Sequence, residues 1–185
     1  LCARRAENAR PEGLDLSAWR VAGLGGDMIR TPPLKQFAER FAHAGFSPNA
    51  FVASYGMAEA TLALTMAPLG RGLVAESLDV GRLEHDGLAV ASIQAGRIRD
   101  FARCGPALPG HELQVRDDDG GVLPERTVGR VFARGPSLME GYFRQPEATH
   151  QALSTDGWLD TGDLGYLSQG EIVLTGRIKD LIILN

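Results

Sequence analysis

Several short stretches set polar or aromatic side chains beside glycines in a manner suited to holding a nucleotide. Ser54-Tyr55-Gly56-Met57-Ala58-Glu59 follows a short apolar run. If that run is a strand of an open α/β sheet, its last residues reach the carboxyl edge, where such sheets bind ligands. Gly56 permits a tight turn and close backbone approach. The Tyr55 ring can lie against a flat base, and the Glu59 carboxylate can hold a divalent cation. A plain strand–turn–helix junction, with Glu59 at the helix's positive end, accounts for the same residues. Gly23-Leu24-Gly25-Gly26-Asp27 is also a predicted strand exit, offering bare backbone to a purine or simply a left-handed turn.

Further along, Gly157-Trp158-Leu159-Asp160-Thr161-Gly162-Asp163-Leu164-Gly165 places Asp163 between a glycine and a predicted strand. A carboxylate fixed there could accept from two ribose hydroxyls, as in dinucleotide folds; an Asx-turn before a hairpin is the other account. Gly176-Arg177-Ile178-Lys179-Asp180 follows the next strand. A hairpin would return Arg177 to Asp163, unless Arg177 and Lys179 are only a surface basic pair. Asp117-Asp118-Asp119 reads as a solvated hairpin tip rather than a metal site.

The elements that must position these residues fall into two textures. Over residues 1 to about 66 the pattern is strand, helix, strand, helix, with glycines at the strand exits, as in a parallel α/β sheet, and this subdomain is expected to extend to residue 105. Cys2–Asn8 reads as a helix end, Trp19–Leu24 as a strand, and Pro32-Pro33 as the opening of an amphipathic helix carrying Leu34, Phe37, Ala38 and Phe41, with Gly45 as its stop. Phe51–Ser54 is a second strand and Ala58–Met66 a second helical stretch. Over residues 106–185 the pattern changes to short strands and turns: Glu112–Arg116, Gly129–Arg134, Leu164–Leu167 and Glu171–Thr175. This half is expected to form a small antiparallel sheet or distorted barrel. The stretch Arg71–Phe101 has no legible period.

Composition narrows the partners. A net charge of -4, with 19 scattered Lys and Arg, argues against nucleic acid, which needs a basic surface. The two cysteines, Cys2 and Cys104, are in no paired spacing, which favours reduced thiols and a cytoplasmic setting. The four histidines have no metal-ligand spacing. No apolar stretch approaches the roughly 20 residues of a membrane helix.

Each motif is weak alone; their order and spacing together are specific. Gly25-Gly26-Asp27, Tyr55-Gly56-Met57-Ala58-Glu59, the glycine-rich Gly129–Gly141-Tyr142 stretch, and Trp158–Asp163 followed by Gly176-Arg177 occur in the order found in adenylate-forming enzymes. Over nearly its whole length the chain resembles that superfamily of acyl- and aryl-CoA synthetases, peptide-synthetase adenylation domains and luciferases. Within it, Ala58 in place of the usual Thr, Arg134-Gly135-Pro136-Ser137 with Gly141-Tyr142-Phe143, and Gly176–Asn185 are most similar to fatty acyl-AMP ligases. That branch carries an extra segment after the Tyr-Gly motif, and Arg71–Phe101 has room for it.

The resemblance implies a reaction of a fatty acid with ATP and Mg2+ to give an acyl-adenylate, for transfer to an acyl carrier protein or, in the competing branch, to CoA; the alternative of a non-catalytic homologue is opposed by the intact Glu59, Asp163 and Arg177. It implies Glu59 as catalytic residue and Mg2+ ligand. Tyr55, Gly25, Gly26 and Asp27 would wall the adenine, with Ser54, Gly56, Met57 and Ala58 completing the motif. Asp163 and Arg177 would hold the ribose, and Lys179 would be the hinge to a following catalytic domain. Asp27 and Met28 replace a usual Glu and Pro, and Arg130 a usual Glu, the last expected to affect local packing. The family's Ser/Thr-rich phosphate loop and C-terminal catalytic lysine have no counterpart here, so the chain is expected to be part of a larger enzyme and inactive alone.

Overall fold

The computed structural model describes residues 13–92 and 97–178. The first sheet is built on β1 (Ala22–Leu24) and β2 (Phe51–Tyr55), which run parallel with Ala22 opposite Phe51 and Leu24 opposite Ala53. The expected strand Trp19–Leu24 is thus shorter at its start, where the Trp19 indole N–H donates to its own neighbour's carbonyl at Val21, 2.7 Å away.

The crossover between the two strands is α1 (Thr31–Phe41), opened by Pro32 and Pro33 in its first turn, where a missing N–H costs nothing. A single 3-10 turn, Ala42–Ala44, follows and ends at Gly45 in the left-handed conformation. The apolar face of α1 lies over the sheet: Phe37, Phe41, Phe46 and Phe51 form one cluster with Ala22 and Ala50. Phe37 meets Phe46 edge to face at 5.0 Å, the geometry favoured by ring quadrupoles.

The second expected helix is absent. Only a 3-10 turn, Ala58–Ala60, forms after β2. Thr61 then takes a positive φ of 65°, and the chain doubles back so that the Leu64 amide donates to the Tyr55 carbonyl at 2.8 Å. β3 (Thr65–Met66) therefore pairs antiparallel with the end of β2, Tyr55 opposite Thr65. In place of the expected helical stretch Ala58–Met66, the apolar residues Ala60, Leu64 and Ala67 are buried in this reversal.

The stretch without a legible period is a second small sheet, β4 (Ala75–Asp79) antiparallel to β5 (Ile98–Ala102), with Glu76 opposite Phe101. The short α2 (Val80–Asp86) lies between them. Its first amides are capped by Asp79, which accepts from Gly81 and Arg82, and Gly87 ends it in the left-handed region.

The last sheet is four-stranded and antiparallel, in the order β6 (Glu112–Arg116), β7 (Gly129–Arg134), β8 (Leu159–Ser168), β9 (Glu171–Arg177). Among the described residues it stays open and does not close into a barrel. The short α3 (Pro146–Ala152) precedes β8. β8 begins at Leu159 and not at Leu164, so Asp163 sits inside a ten-residue strand and not in a turn before one. A register shift at Leu164–Gly165 lets the strand bend there. Asp117 closes the hairpin tip as expected, accepting from the Gly121 amide at 2.7 Å.

One buried cluster draws on both textures: Tyr55, Ala60 and Leu64 pack with Val115, Val131, Ala133 and Ile172. Cys104 joins them and its amide donates to the Ile172 carbonyl at 2.8 Å. No helix among the described residues is long and apolar enough to cross a membrane. Cys2, Lys179 and the expected helix end Cys2–Asn8 lie outside the described residues.

Candidate functional site

The carboxyl ends of β1 and β2 and the hairpin β8–β9 converge on one cleft of about 150 Å3. Gly26, Asp27, Ser54, Tyr55, Gly56, Asp163 and Arg177 all line it. Seven of the expected site residues, separated by up to 151 positions in sequence from Gly26 to Arg177, therefore share one depression.

Asp163 is the buried one of the three charged residues that line it. It is buried, with a relative exposure of 5%, and both carboxylate oxygens have partners. Oδ2 accepts from the Tyr55 hydroxyl at 2.7 Å, and Oδ1 from Arg177 Nε at 3.0 Å. The strands dictate the second pairing: Asp163 and Arg177 are directly opposite in the β8–β9 register. The Arg177 side chain is itself well exposed, so most of the charge compensation comes through one bond from a solvated guanidinium. Burial first, and then the neighbouring Asp163 charge, push the Tyr55 hydroxyl far above its ordinary value. Tyr55 is thus a fixed neutral donor, held by the end of β2. An ionised carboxylate has about four lone-pair sites, so Asp163 can accept further hydroxyls from a ligand.

The turn beyond β2 has a steric origin. A Cβ at Gly56 would stand 1.8 Å from the Leu62 carbonyl oxygen, because the reversed chain passes directly over it. Only glycine fits. Gly26, at φ 79°, occupies the left-handed region that an exit from β1 needs here. Gly25 packs on Ser54, whose hydroxyl donates to the Leu24 carbonyl at 3.1 Å. Asp27 is exposed and receives its successor's amide, Met28 N, at 2.7 Å.

Glu59, Ala58 and Met57 are placed differently. Met57 packs against the central hydrophobic cluster. Ala58 and Glu59 form the 3-10 turn outside the cleft's lining. Glu59 Oε1 accepts from the Tyr142 hydroxyl at 2.8 Å, and the Glu59 carbonyl accepts from the Met139 amide at 2.7 Å. The loop 135–142 is thereby strapped to the turn. Ser137 adds a bond to the Ala60 carbonyl at 3.0 Å. The Tyr142 hydroxyl is raised above its ordinary value, first by its bond to Glu59.

Among the described residues no three His, Cys, Asp or Glu gather as a metal-binding group. Glu59 offers Mg2+ a single carboxylate, half-buried and with lone pairs beyond the one that Tyr142 occupies. That suits Mg2+, which commonly takes one or two protein carboxylates and completes its shell with waters and substrate phosphates.

The sequence pattern missed one whole wall of the cleft. Met28, Ile29, Phe101, Ala102, Cys104 and Leu174 line it as well. Phe101 and Ala102 end β5, in the stretch without a period, and nothing local in the sequence marks them. Cys104 is buried and its thiol is pushed up to about 12, first by burial. It is an inert, space-filling group there. Tyr142 was visible only as the end of a glycine-rich motif, and its pairing with Glu59 over 83 positions has no local signal. Arg130, on β7, pairs with Asp160 on β8 and so acts between strands.

Known proteins resemble this chain over nearly its whole length. Residues 2–143 match the model of the family described as AMP-binding enzyme. A Caulobacter vibrioides protein provisionally named acyl-CoA synthetase is 68% identical over 186 residues, covering 100% of this chain and 32% of its own. A medium-chain-fatty-acid–[acyl-carrier-protein] ligase of Moorena producens is 32% identical, covering 99% and 33%. Among solved structures, one from work on fatty acyl-adenylate ligases of E. coli and L. pneumophila superposes with a TM-score of 0.90 at 41% identity, over 98% of this chain and 33% of that one. The L. pneumophila fatty acyl-adenylate ligase in complex with acyl adenylate and pyrophosphate gives 0.88 at 31% identity, again over 98% and 33%. This chain thus spans about a third of the length of the relatives it matches. On the match over most of its length, the chain belongs to the family of AMP-binding enzymes.

Proposed function

We propose that the chain is the nucleoside-holding part of an ATP-dependent, adenylate-forming ligase that activates a fatty acid. The observation that carries this reading is Asp163. A buried carboxylate, oriented by Tyr55 and Arg177, faces a cleft built from strand ends and glycine turns. Such a group recognises paired ribose hydroxyls. In this reading Tyr55 and the Gly25-Gly26-Asp27 turn flank the adenine. Arg177 both neutralises Asp163 and reaches the ribose.

The reaction joins a fatty-acid carboxylate oxygen to the α-phosphorus of ATP while the bond from that phosphorus to the bridging oxygen breaks and pyrophosphate leaves. Its rate depends on alignment and on neutralising phosphate charge. Mg2+ accompanying ATP supplies part of that neutralisation. Glu59 would be its protein ligand, held in place by Tyr142 and the Met139 amide. Lys179 would form the hinge to a following catalytic domain, and residues 1–105 and 106–185 two lobes around the cleft. A cytoplasmic setting fits an ATP-consuming enzyme with the free thiol of Cys104.

The acceptor we favour is an acyl carrier protein, as in the name of the Moorena relative; the name of the Caulobacter relative favours CoA. Product analysis of the intact ligase separates them. With both acceptors present, acyl-carrier protein is the expected product, and accumulation of acyl-CoA would reverse the assignment. Fatty-acid-dependent exchange of pyrophosphate into ATP tests the reading itself. The intact ligase should show it and the 185-residue chain alone should not.

A further inference from the structure

A second carboxylate, outside the cleft, has more partners than any other side chain described above. Glu76 on β4 is 12% exposed at its side chain and has four side-chain donors. Oε1 accepts from Ser168 at 2.6 Å and from Arg103 Nε at 2.8 Å. Oε2 accepts from the Tyr166 hydroxyl and from Arg126, each at 3.0 Å. These donors come from three separate places: the exit of β5, the turn before β7, and the last turns of β8.

Two of those places adjoin the cleft, through Phe101 and through Asp163; the turn that carries Arg126 does not line it. Arg103 is two residues past Phe101, which lines the cleft and lies directly opposite Glu76 in the β4–β5 register. Tyr166 and Ser168 stand three and five residues beyond Asp163 on the same strand. Phe101 and Tyr166 are buried together with Val173, and Met28, another lining residue, packs on them. The missed wall of the cleft and the strand that carries Asp163 are thus tied by one negative charge between two guanidiniums. Removing that charge takes from Arg103 and Arg126 the carboxylate they share, and with it the side-chain tie between β4, the exit of β5 and β8.

We propose that Glu76 is a positioning residue for the nucleoside cleft, holding the β5 wall at a fixed separation from Asp163. It acts through Phe101 and Asp163 and does not itself touch the ligand. The inference rests on the nucleoside-binding reading of Asp163.

The test is steady-state kinetics of fatty-acid activation by the intact ligase, read as separate KM and kcat values. Glu76→Gln is expected to raise KM for ATP about tenfold, the scale of a displaced binding wall, with kcat and the KM for fatty acid nearly unchanged. Tyr166→Phe keeps the ring packing and deletes one bond, so it should give a smaller rise of the same kind and serves as the test if Glu76→Gln fails to fold. A lowered melting temperature with an unchanged KM for ATP in Tyr166→Phe and Glu76→Gln would overturn the proposal, since that is what a purely structural network does. Asp163→Ala is the separate control. If it leaves KM for ATP intact, the nucleoside reading fails, and the role of Glu76 fails with it.

Discussion

The Tyr55 hydroxyl and the Asp163 carboxylate, 108 positions apart, form a buried hydrogen bond of 2.7 Å that joins the parallel sheet to the antiparallel one. It has two consequences that can be measured apart. Tyr55→Phe leaves a buried carboxylate oxygen short of one donor, a loss of about 1–3 kcal/mol in folding stability. Urea unfolding of the chain should report that loss. The same variant should also raise KM for ATP in the intact ligase. An unchanged urea midpoint would show that water replaces the phenol at no cost.

Glu59 is expected to matter for chemistry far more than for stability. It is half-buried on a one-turn helix and its carboxylate bonds only to Tyr142 among the described contacts. Glu59→Ala should abolish acyl-adenylate formation while the thermal midpoint changes little. Tyr142→Phe should retain activity at a reduced rate, because it loosens Glu59 without removing it. Adenylate formation by Glu59→Ala at the parent rate would remove Glu59 from the mechanism.

The acid limit of stability follows from three carboxylates held below their ordinary values. Burial raises Glu76, but bonds from Ser168, Arg103 and Tyr166 outweigh it. Asp100 is lowered first by Ser77 and then by Thr31. Glu171 is lowered first by Arg71, which grips it with two nitrogens. A carboxylate whose folded value lies below its unfolded one adds stability that is complete above the unfolded value and is lost as pH falls through the folded value. The urea midpoint should therefore hold from neutrality down to the ordinary values of 4.5 and 3.8, and fall below them. Glu171→Gln should flatten that decline; a decline already present near neutrality would point to other groups.

Gly56→Ala should fail for a steric reason. Its Cβ would stand 1.8 Å from backbone that cannot swing aside as a side chain could. The reversal at Leu62 must shift, and Tyr55 and Glu59 flank it. Loss of soluble expression or of ATP binding is expected, against a near-neutral result for Gly23→Ala on β1, which lies outside the cleft lining and where open space surrounds the added carbon.

Legibility in the sequence followed the range of the interactions. Alternating apolar residues gave β6, β7 and β9 nearly to their ends, because one face of that sheet is buried and the pattern is local. The same reading extended Ala58–Met66 into a helix, since apolar spacing cannot show that Thr61 reverses the chain. It also began β8 five residues late, because Asp163 and Gly162 look like turn residues until the Arg177 pairing is known. α2 did leave signals, a capping Asp79 and a closing Gly87, but seven residues carry too little periodicity to stand out. Of the site, the residues next to glycines were visible; Phe101, Ala102 and the pairing of Tyr142 with Glu59, set by contacts from distant segments, were not.

The central cluster that packs Tyr55 and Leu64 against Val131 and Ile172 bears on how this molecule can be divided or recombined. A chimera joined at residue 105 would inherit half of one interior from each parent. Its crossover falls where Gly105 lies against the Met66 backbone, with no room for a Cβ, and where the Ile172 amide donates to the Gly105 carbonyl at 3.2 Å. Exchange of the whole segment from β1 to β9 keeps that interior from a single source, and is the cut that should transplant the cleft intact.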